Sequence, residues 1–269
     1  MPNNRNTVGL WRAVGLGALA GAAYLLNQQN RLLRRVLANQ EAIMLQIRDE
    51  SRHQTRQAQA LYWLHRELEL AAPLPPMRGW AISPDFAVLL VQLLREQQPH
   101  TVLEFGGGTS TIITAAVLRQ LGGNRRVVAV EALASFAQQA RVQIERHGLE
   151  DLSQVIHAPL VDMQTDGRSY RWYQPQAFAH VDNIDFLTVD GPAQYNTMQP
   201  RVRYPAYPML RQRLTDNALV LLDDANRVEE QAIGREWLRR YPALTQQASY
   251  SELEKGAVVL RHRVDGPDS

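Results

Sequence analysis

VLEFGGGTSTIITAA, running from Val102 to Ala116, is the stretch on which the fold turns. Five residues of mostly apolar, strand-favouring character (TVLEF, Thr101 to Phe105) run straight into three glycines. An apolar helical pattern then continues to about Leu121. Strand, glycine turn and helix in immediate succession form the opening unit of a βαβ fold. Further short apolar runs follow at intervals that leave room for helices: RVVAVE, QVIHA, IDFLTVD, ALVLLDD, ALTQQAS and GAVVLRH. This alternation predicts a mostly parallel seven-stranded sheet covered by helices on both faces. Only a short polar link separates the last two runs, so they are expected to pair antiparallel. Upstream, Ser83-Pro84-Asp85 reads as a helix start, with serine as N-cap and proline at the first helical position.

Ligands of open α/β sheets bind at the carboxyl ends of the strands. Here those ends carry acids: Glu104, Glu131, Asp190 and the pair Asp223-Asp224. Gly106 and Gly108 supply the first two glycines of a dinucleotide fingerprint, but Thr111 stands where the third belongs. Glu104, two residues before the first glycine, would repel a pyrophosphate and attract a cation. Glu131 follows Gly106 by 25 residues at a strand end, where it can accept hydrogen bonds from ribose hydroxyls. The combination favours a positively charged nucleoside and disfavours a nicotinamide oxidoreductase.

The chain resembles the class I S-adenosylmethionine-dependent methyltransferases. VLEFGGGTSTIITAA is similar to their motif I, E-x-G-x-G-x-S/T, and VVAVEA to motif II. The segments FLTVDGP and RYPAYPMLRQRLTDNALVLLDDANRVEE resemble the later part of a bacterial subgroup, so the likeness runs from Trp80 to Arg263. It implies a Rossmann-like methyltransferase fold binding S-adenosylmethionine. Glu104, Gly106 and Gly108 would hold the methionine end, with Ser110 and Thr111 nearby. Glu131 would bind the ribose, and His157-Ala158 would border the adenine.

Two chemistries are open at the acceptor end. Asp190, Asp223 and Asp224 would hold Mg²⁺, as in enzymes similar to catechol O-methyltransferase, and the cation would acidify a hydroxyl. Against this, the lysine usual after the first of those acids is missing from DGPAQY. Alternatively, Asp190 or His157 serves as general base without a metal. Arg201, Arg203, Arg211, Arg213 and Arg227 are expected to form a solvated face, with an anion-binding role as the alternative. Trp172, Tyr173 and Tyr195 either line an acceptor pocket or fill the core. The expected acceptor is a small-molecule or glycan hydroxyl; a noncatalytic cofactor-binding scaffold of a membrane complex is the rival reading.

The N-terminal third is different in kind. Val8 to Leu26 (VGLWRAVGLGALAGAAYLL) has about the length of a transmembrane helix and contains one charge, Arg12. It reads as a membrane anchor, with a signal peptide cleaved near Ala20-Gly21-Ala22 and a helix buried in protein as alternatives. Arg31, Arg34 and Arg35 follow the span and predict a single-pass protein with its catalytic domain on the cytoplasmic side. Residues 27–72 read as a helical stalk. A heptad seam from Leu33 to Leu68 has 7 apolar positions out of 11, enough for a weak homodimeric coiled coil. A Pro-rich linker (73–82), the methyltransferase domain (83–263) and a tail (264–269) complete the division.

Composition bounds the rest. With 269 residues, 45% hydrophobic and 21% charged, the chain can bury one substantial core. The absence of cysteine excludes disulfides, thiolate catalysis and cysteine-ligated zinc. A net charge of +2, without zinc-finger or RNP-type motifs, gives no basis for nucleic-acid binding.

Overall fold

The computed structural model describes residues 5–193 and 199–264, with side chains from residue 25 onward. The chain divides into two compact units, Met1–Thr55 and Arg56–Ser269. Helix α1 (Arg5–Glu67) makes up the first unit, and its residues from Arg56 on belong to the second. No Pro or Gly interrupts it after Gly21, and Gln, Arg, Leu and Ala carry the helix propensity. Within the first unit Leu33, Leu37, Met44 and Ile47 are exposed. Among the described residues no helix is long and apolar enough to cross a membrane. Apart from Leu25 and Leu26, the side chains of the predicted span Val8–Leu26 lie outside those described, as does the Gly17/Gly21 pair.

The second unit holds a seven-stranded sheet in the order β3-β2-β1-β6-β7-β9-β8. Its strands are β1 (Thr101–Phe105), β2 (Arg126–Glu131), β3 (Ser153–His157), β6 (Ile184–Val189), β7 (Leu214–Asp223), β8 (Leu244–Tyr250) and β9 (Ala257–His262). The two intervening strands, β4 (Leu160–Thr165) and β5 (Arg168–Tyr173), form a separate antiparallel hairpin. Within the main sheet β9 alone runs against its neighbours β7 and β8; the pairs β3-β2, β2-β1, β1-β6 and β6-β7 are parallel. Helices α2 (Pro84–Gln97), α3 (Thr109–Leu121), α4 (Ala134–Arg146), α5 (Ala206–Leu210) and α6 (Val228–Arg240) complete the unit. The central strands β1 and β6 are apolar along most of their length because both faces are covered. Two clusters of buried side chains result, one under α2 and α3 and the other around Trp172, Tyr204 and Trp237.

Two expectations are corrected here. The end of α1 is core, not stalk: Gln57, Leu64 and Leu68 are buried with Ile82, Phe86 and Leu90. Gln57 and Leu64 sit one residue before the expected seam positions Ala58 and His65, whereas Leu68 coincides with the seam, and Gln57 Oε1 accepts the Asp85 backbone N–H at 3.1 Å. The hairpin β4-β5 was not expected. Asp166 and Gly167, both at positive φ (52° and 75°), form its two-residue turn, the Asp-Gly pairing that such tight hairpins favour.

Candidate active site

The glycine loop between β1 and α3 forms the floor of the site. Gly106 has φ +89°, and a side chain there would meet Gly191 N at 3.2 Å and the Asp190 carbonyl carbon at 3.3 Å. The loop after β6 therefore passes directly against the loop after β1, and Asp190 N donates to Phe105 O at 3.0 Å. At Gly107 a Cβ would come within 2.9 Å of Ala129 Cβ. Backbone at two successive positions approaches too closely for a side chain.

Thr111, which replaces the third fingerprint glycine, has a structural task. Its hydroxyl accepts from Gly108 N at 3.0 Å and donates to Glu104 Oε2 at 2.6 Å. The loop is thereby tied to the strand-end acid. Glu104 is buried, and among the described residues its other oxygen, Oε1, has no hydrogen-bond partner. Burial pushes its carboxyl up to about 8, against the lowering effect of the Ser110 and Thr111 hydroxyls. Glu131, at the end of β2, is pushed up to about 7 by burial, with the Gly107 N–H acting the other way. Both acids sit where a cation would restore their charge.

The glycine loop, Ser110 and Glu131 border one cleft of about 920 Å³, while Glu104 is buried outside its lining residues. Gly106–Ser110, Glu131, Ala132, Leu133, Asp190, Arg203 and Asp224 all line it. Pro75, Pro76 and Gly79–Ile82 also line it, so the segment expected to be a linker is part of the site wall. Lys255, from the turn between β8 and β9, is another lining residue and donates to Ala81 O at 2.9 Å. The cleft, the unpartnered Glu104 oxygen and the side-chain-free glycine loop fit S-adenosylmethionine. Glu104 and the loop would hold its cationic amino-acid end, and Glu131 its ribose.

Beside Asp190 and Asp224 sits a residue whose burial the sequence reading missed. Arg203, expected on a solvated face, has a side chain only 4% exposed. Its Nη2 donates to Asp224 Oδ2 at 2.8 Å and Asp190 Oδ1 at 3.2 Å, and its Nη1 donates to Asp223 O at 3.2 Å. Glu230 Oε1 lies 3.8 Å from its Nε. Arg227, half exposed, reaches Asp224 at 2.9 Å. Burial raises Asp190 to about 6, opposed by the Arg203 charge. Burial, with Asp190 and Asp224 close by, holds Asp223 well above the usual carboxylate range. Its surroundings thus favour the neutral form of Asp223, with Asp190 and Asp224 facing Arg203 and Arg227.

Asp190, Asp223 and Asp224 do come together, with ligand oxygens within 4.8 Å of one another. They do not fit the Mg²⁺ that the resemblance implies. Mg²⁺ needs close, nearly octahedral oxygen ligation, yet Asp190 Oδ1 and Asp224 Oδ2 already share the Arg203 Nη2. Asp223 is fully buried and is not among the residues lining the cleft.

The other expected residues divide cleanly. Ser110 lines the cleft. His157 is exposed at the end of β3 and lies outside the lining residues, whereas Asp190 is among them. Ala158 is buried, its N–H bound to Glu131 O at 2.8 Å. Leu133 and Phe136 also line the cleft. Trp172 is core, edge-on to Phe105 at 4.9 Å, whereas Tyr173 is both core and cleft wall. Tyr195 falls outside the described residues. Arg213 binds backbone carbonyls at the bottom of the sheet, including Val181 O at 2.9 Å, and Arg211 lies over the Tyr241 ring.

A comparison with curated protein sequences finds no match. Among solved structures, the chain is similar to the O-methyltransferase of Bacillus cereus in complex with SAH, with 22% identity and a TM-score of 0.52. That match covers 76% of this chain and 91% of that one. It is also similar to the O-methyltransferase TomG of Streptomyces achromogenes, involved in tomaymycin synthesis and bound to SAM. There the identity is 19% and the TM-score 0.53, over 76% and 90% of the chains. The SAH-bound methyltransferase PaMTH1 of Podospora anserina matches at 13% identity and a TM-score of 0.53, over 77% and 87%. At these identities the likenesses establish the fold. Residues 103–225 match the family model described as a methyltransferase domain. Residues 103–225 thus carry a methyltransferase domain, and with this fold, glycine loop and paired acids the chain is similar to the S-adenosylmethionine-dependent methyltransferases.

Proposed function

We propose that the enzyme methylates oxygen, on a small-molecule or glycan hydroxyl presented at the Asp190 end of the cleft. The observation that carries this reading is the Asp190 carboxyl. It is fixed by its backbone bond to Phe105, paired with Arg203, and raised to about 6, close to the value a general base needs near neutral pH. S-adenosylmethionine, when bound, supplies an electrophilic methyl group on a sulfonium centre. The protein's own part is to hold the acceptor oxygen in line and to take its proton on an Asp190 oxygen. The O-methyltransferases among the similar structures support an oxygen acceptor.

The same proposal places the enzyme at a membrane, tethered through Val8–Leu26 with its catalytic unit on the cytoplasmic side. The length of that span and the arginines after it support this. The exposed Leu33, Leu37, Met44 and Ile47 support pairing of the stalk with a second copy.

The test is methyl transfer from labelled S-adenosylmethionine to a panel of phenols, sugars and lipid-linked glycans, using the full chain. An O-methylated product is expected, with kcat reduced about 10²–10⁴-fold in Asp190→Asn and cofactor affinity nearly unchanged. Products methylated only on nitrogen or sulfur would overturn the reading.

A further inference from the structure

We infer that Arg203 is the resident cation of the acceptor end, holding the place between Asp190 and Asp224 that a divalent metal would otherwise take. This rests on reading that end of the cleft as the acceptor subsite. One nitrogen, Nη2, bridges the two carboxylates at 3.2 Å and 2.8 Å, and Nη1 reaches Asp223 O at 3.2 Å. A metal bonded to both carboxylates would lie against the guanidinium. Like-charge repulsion in a buried setting makes the two occupants mutually exclusive.

The arginine is also held from its own backbone, so it does not swing aside to admit an ion. Its neighbour Tyr204 donates its hydroxyl to Asp166 Oδ2 at 2.7 Å, and Tyr204 O accepts from Trp237 Nε1 at 2.9 Å. Two residues upstream, Arg201 pairs with Glu236 at 3.0 Å, and Glu236 also holds Arg168 at 3.0 Å. The hairpin β4-β5 and helix α6 thus fix the segment 201–204 from two sides. Asp190 is then a carboxylate positioned by a guanidinium, with a fixed positive charge beside the place where acceptor charge develops. Arg203 is a positioning residue in this scheme; it makes the acceptor end independent of metal.

The probe is Mn²⁺, followed by electron paramagnetic resonance on the full chain. The wild type is expected to leave the spectrum of free Mn²⁺ unchanged. Arg203→Met empties the position and should raise Mn²⁺ affinity about tenfold or more, to one ion per chain. Adding Asp224→Asn to that variant should abolish the gain. A merely structural arginine would not produce a gained, carboxylate-dependent ion site. Where Arg203→Met does not fold, Arg203→Gln serves the same arm. One Mn²⁺ per wild-type chain, lost in Asp224→Asn, would overturn the inference, as would a folded Arg203 variant that binds no ion. Calorimetry with S-adenosylmethionine on the same samples reports the methyltransferase reading separately.

Discussion

Arg203 donates to Asp224 at 2.8 Å with both side chains almost wholly removed from solvent, at 4% and 3% exposure. An ion pair in that setting is costly to assemble and more costly to break, because removing one partner strands the other charge. Arg203→Ala leaves Asp190 and Asp224 without their common donor. It is expected to destabilise the protein by about 3–5 kcal/mol. Urea unfolding of the two proteins checks the figure, and a loss below about 1 kcal/mol would show that the cluster is not coupled as described.

The buried acids of the cofactor site predict a pH dependence. Glu104 and Glu131 are raised from 4.5 to about 8 and about 7, so folding favours their neutral forms. For the free protein, the stability this gives is complete below pH 4.5 and is lost as pH rises through 7 and then 8. A cationic cofactor favours the charged forms, so binding releases protons. Affinity for S-adenosylmethionine should climb between pH 6 and 8.5 and then level off. In Glu104→Gln the upper part of that rise should vanish, leaving the step near pH 7. Calorimetric titrations across this range, in buffers of different ionisation enthalpy, give both the affinity and the protons released.

Gly191 lies where the loops after β1 and β6 meet. A Cβ there would fall 2.2 Å from the Tyr173 hydroxyl and 3.0 Å from Gly106 N. Gly191→Ala should cost about 1–3 kcal/mol by overpacking and should weaken cofactor binding through the displaced glycine loop. Tyr173→Phe removes the first clash but not the second, so the double variant should recover part of the loss. Full additivity of the two substitutions would contradict the contact.

The end of α1 belongs to the catalytic unit. Leu64→Ala should destabilise the protein by about 2–5 kcal/mol, as expected for a fully buried leucine. A chain beginning at Arg56 should keep cooperative unfolding, whereas one beginning at Pro73 should lose it, because Leu64 and Leu68 go with the deleted segment. Thermal melts of both truncations distinguish the outcomes.

What the sequence made legible was local. The glycine loop, the strand-end acids and the antiparallel final pairing all rest on patterns within ten or so residues, and the fold has each of them. The hairpin β4-β5 had a local signal as well, Asp166-Gly167 flanked by the alternating RSYRWY, but it adds no strand to the main sheet. Arg203 was not legible. Its burial depends on Asp190, Asp223, Asp224 and Glu230, brought together only by the strand order, while its own surroundings in RVRYPAYPMLRQR read as a solvated arginine run. The buried face of α1 was missed for the same kind of reason. Gln57 is polar, and only the distant backbone of Asp85 gives it a partner.

The central claim is that the cleft over Gly106–Gly108 binds S-adenosylmethionine between Glu104 and Glu131. Calorimetry of the full chain with S-adenosylmethionine at pH 8, comparing wild type with Glu131→Ala, tests it most directly. The account predicts one site per chain, with an affinity about tenfold or more weaker in the variant, the loss of a charge-assisted hydrogen bond or two. A folded wild-type protein that binds no S-adenosylmethionine, or a variant that binds it equally well, would contradict the account.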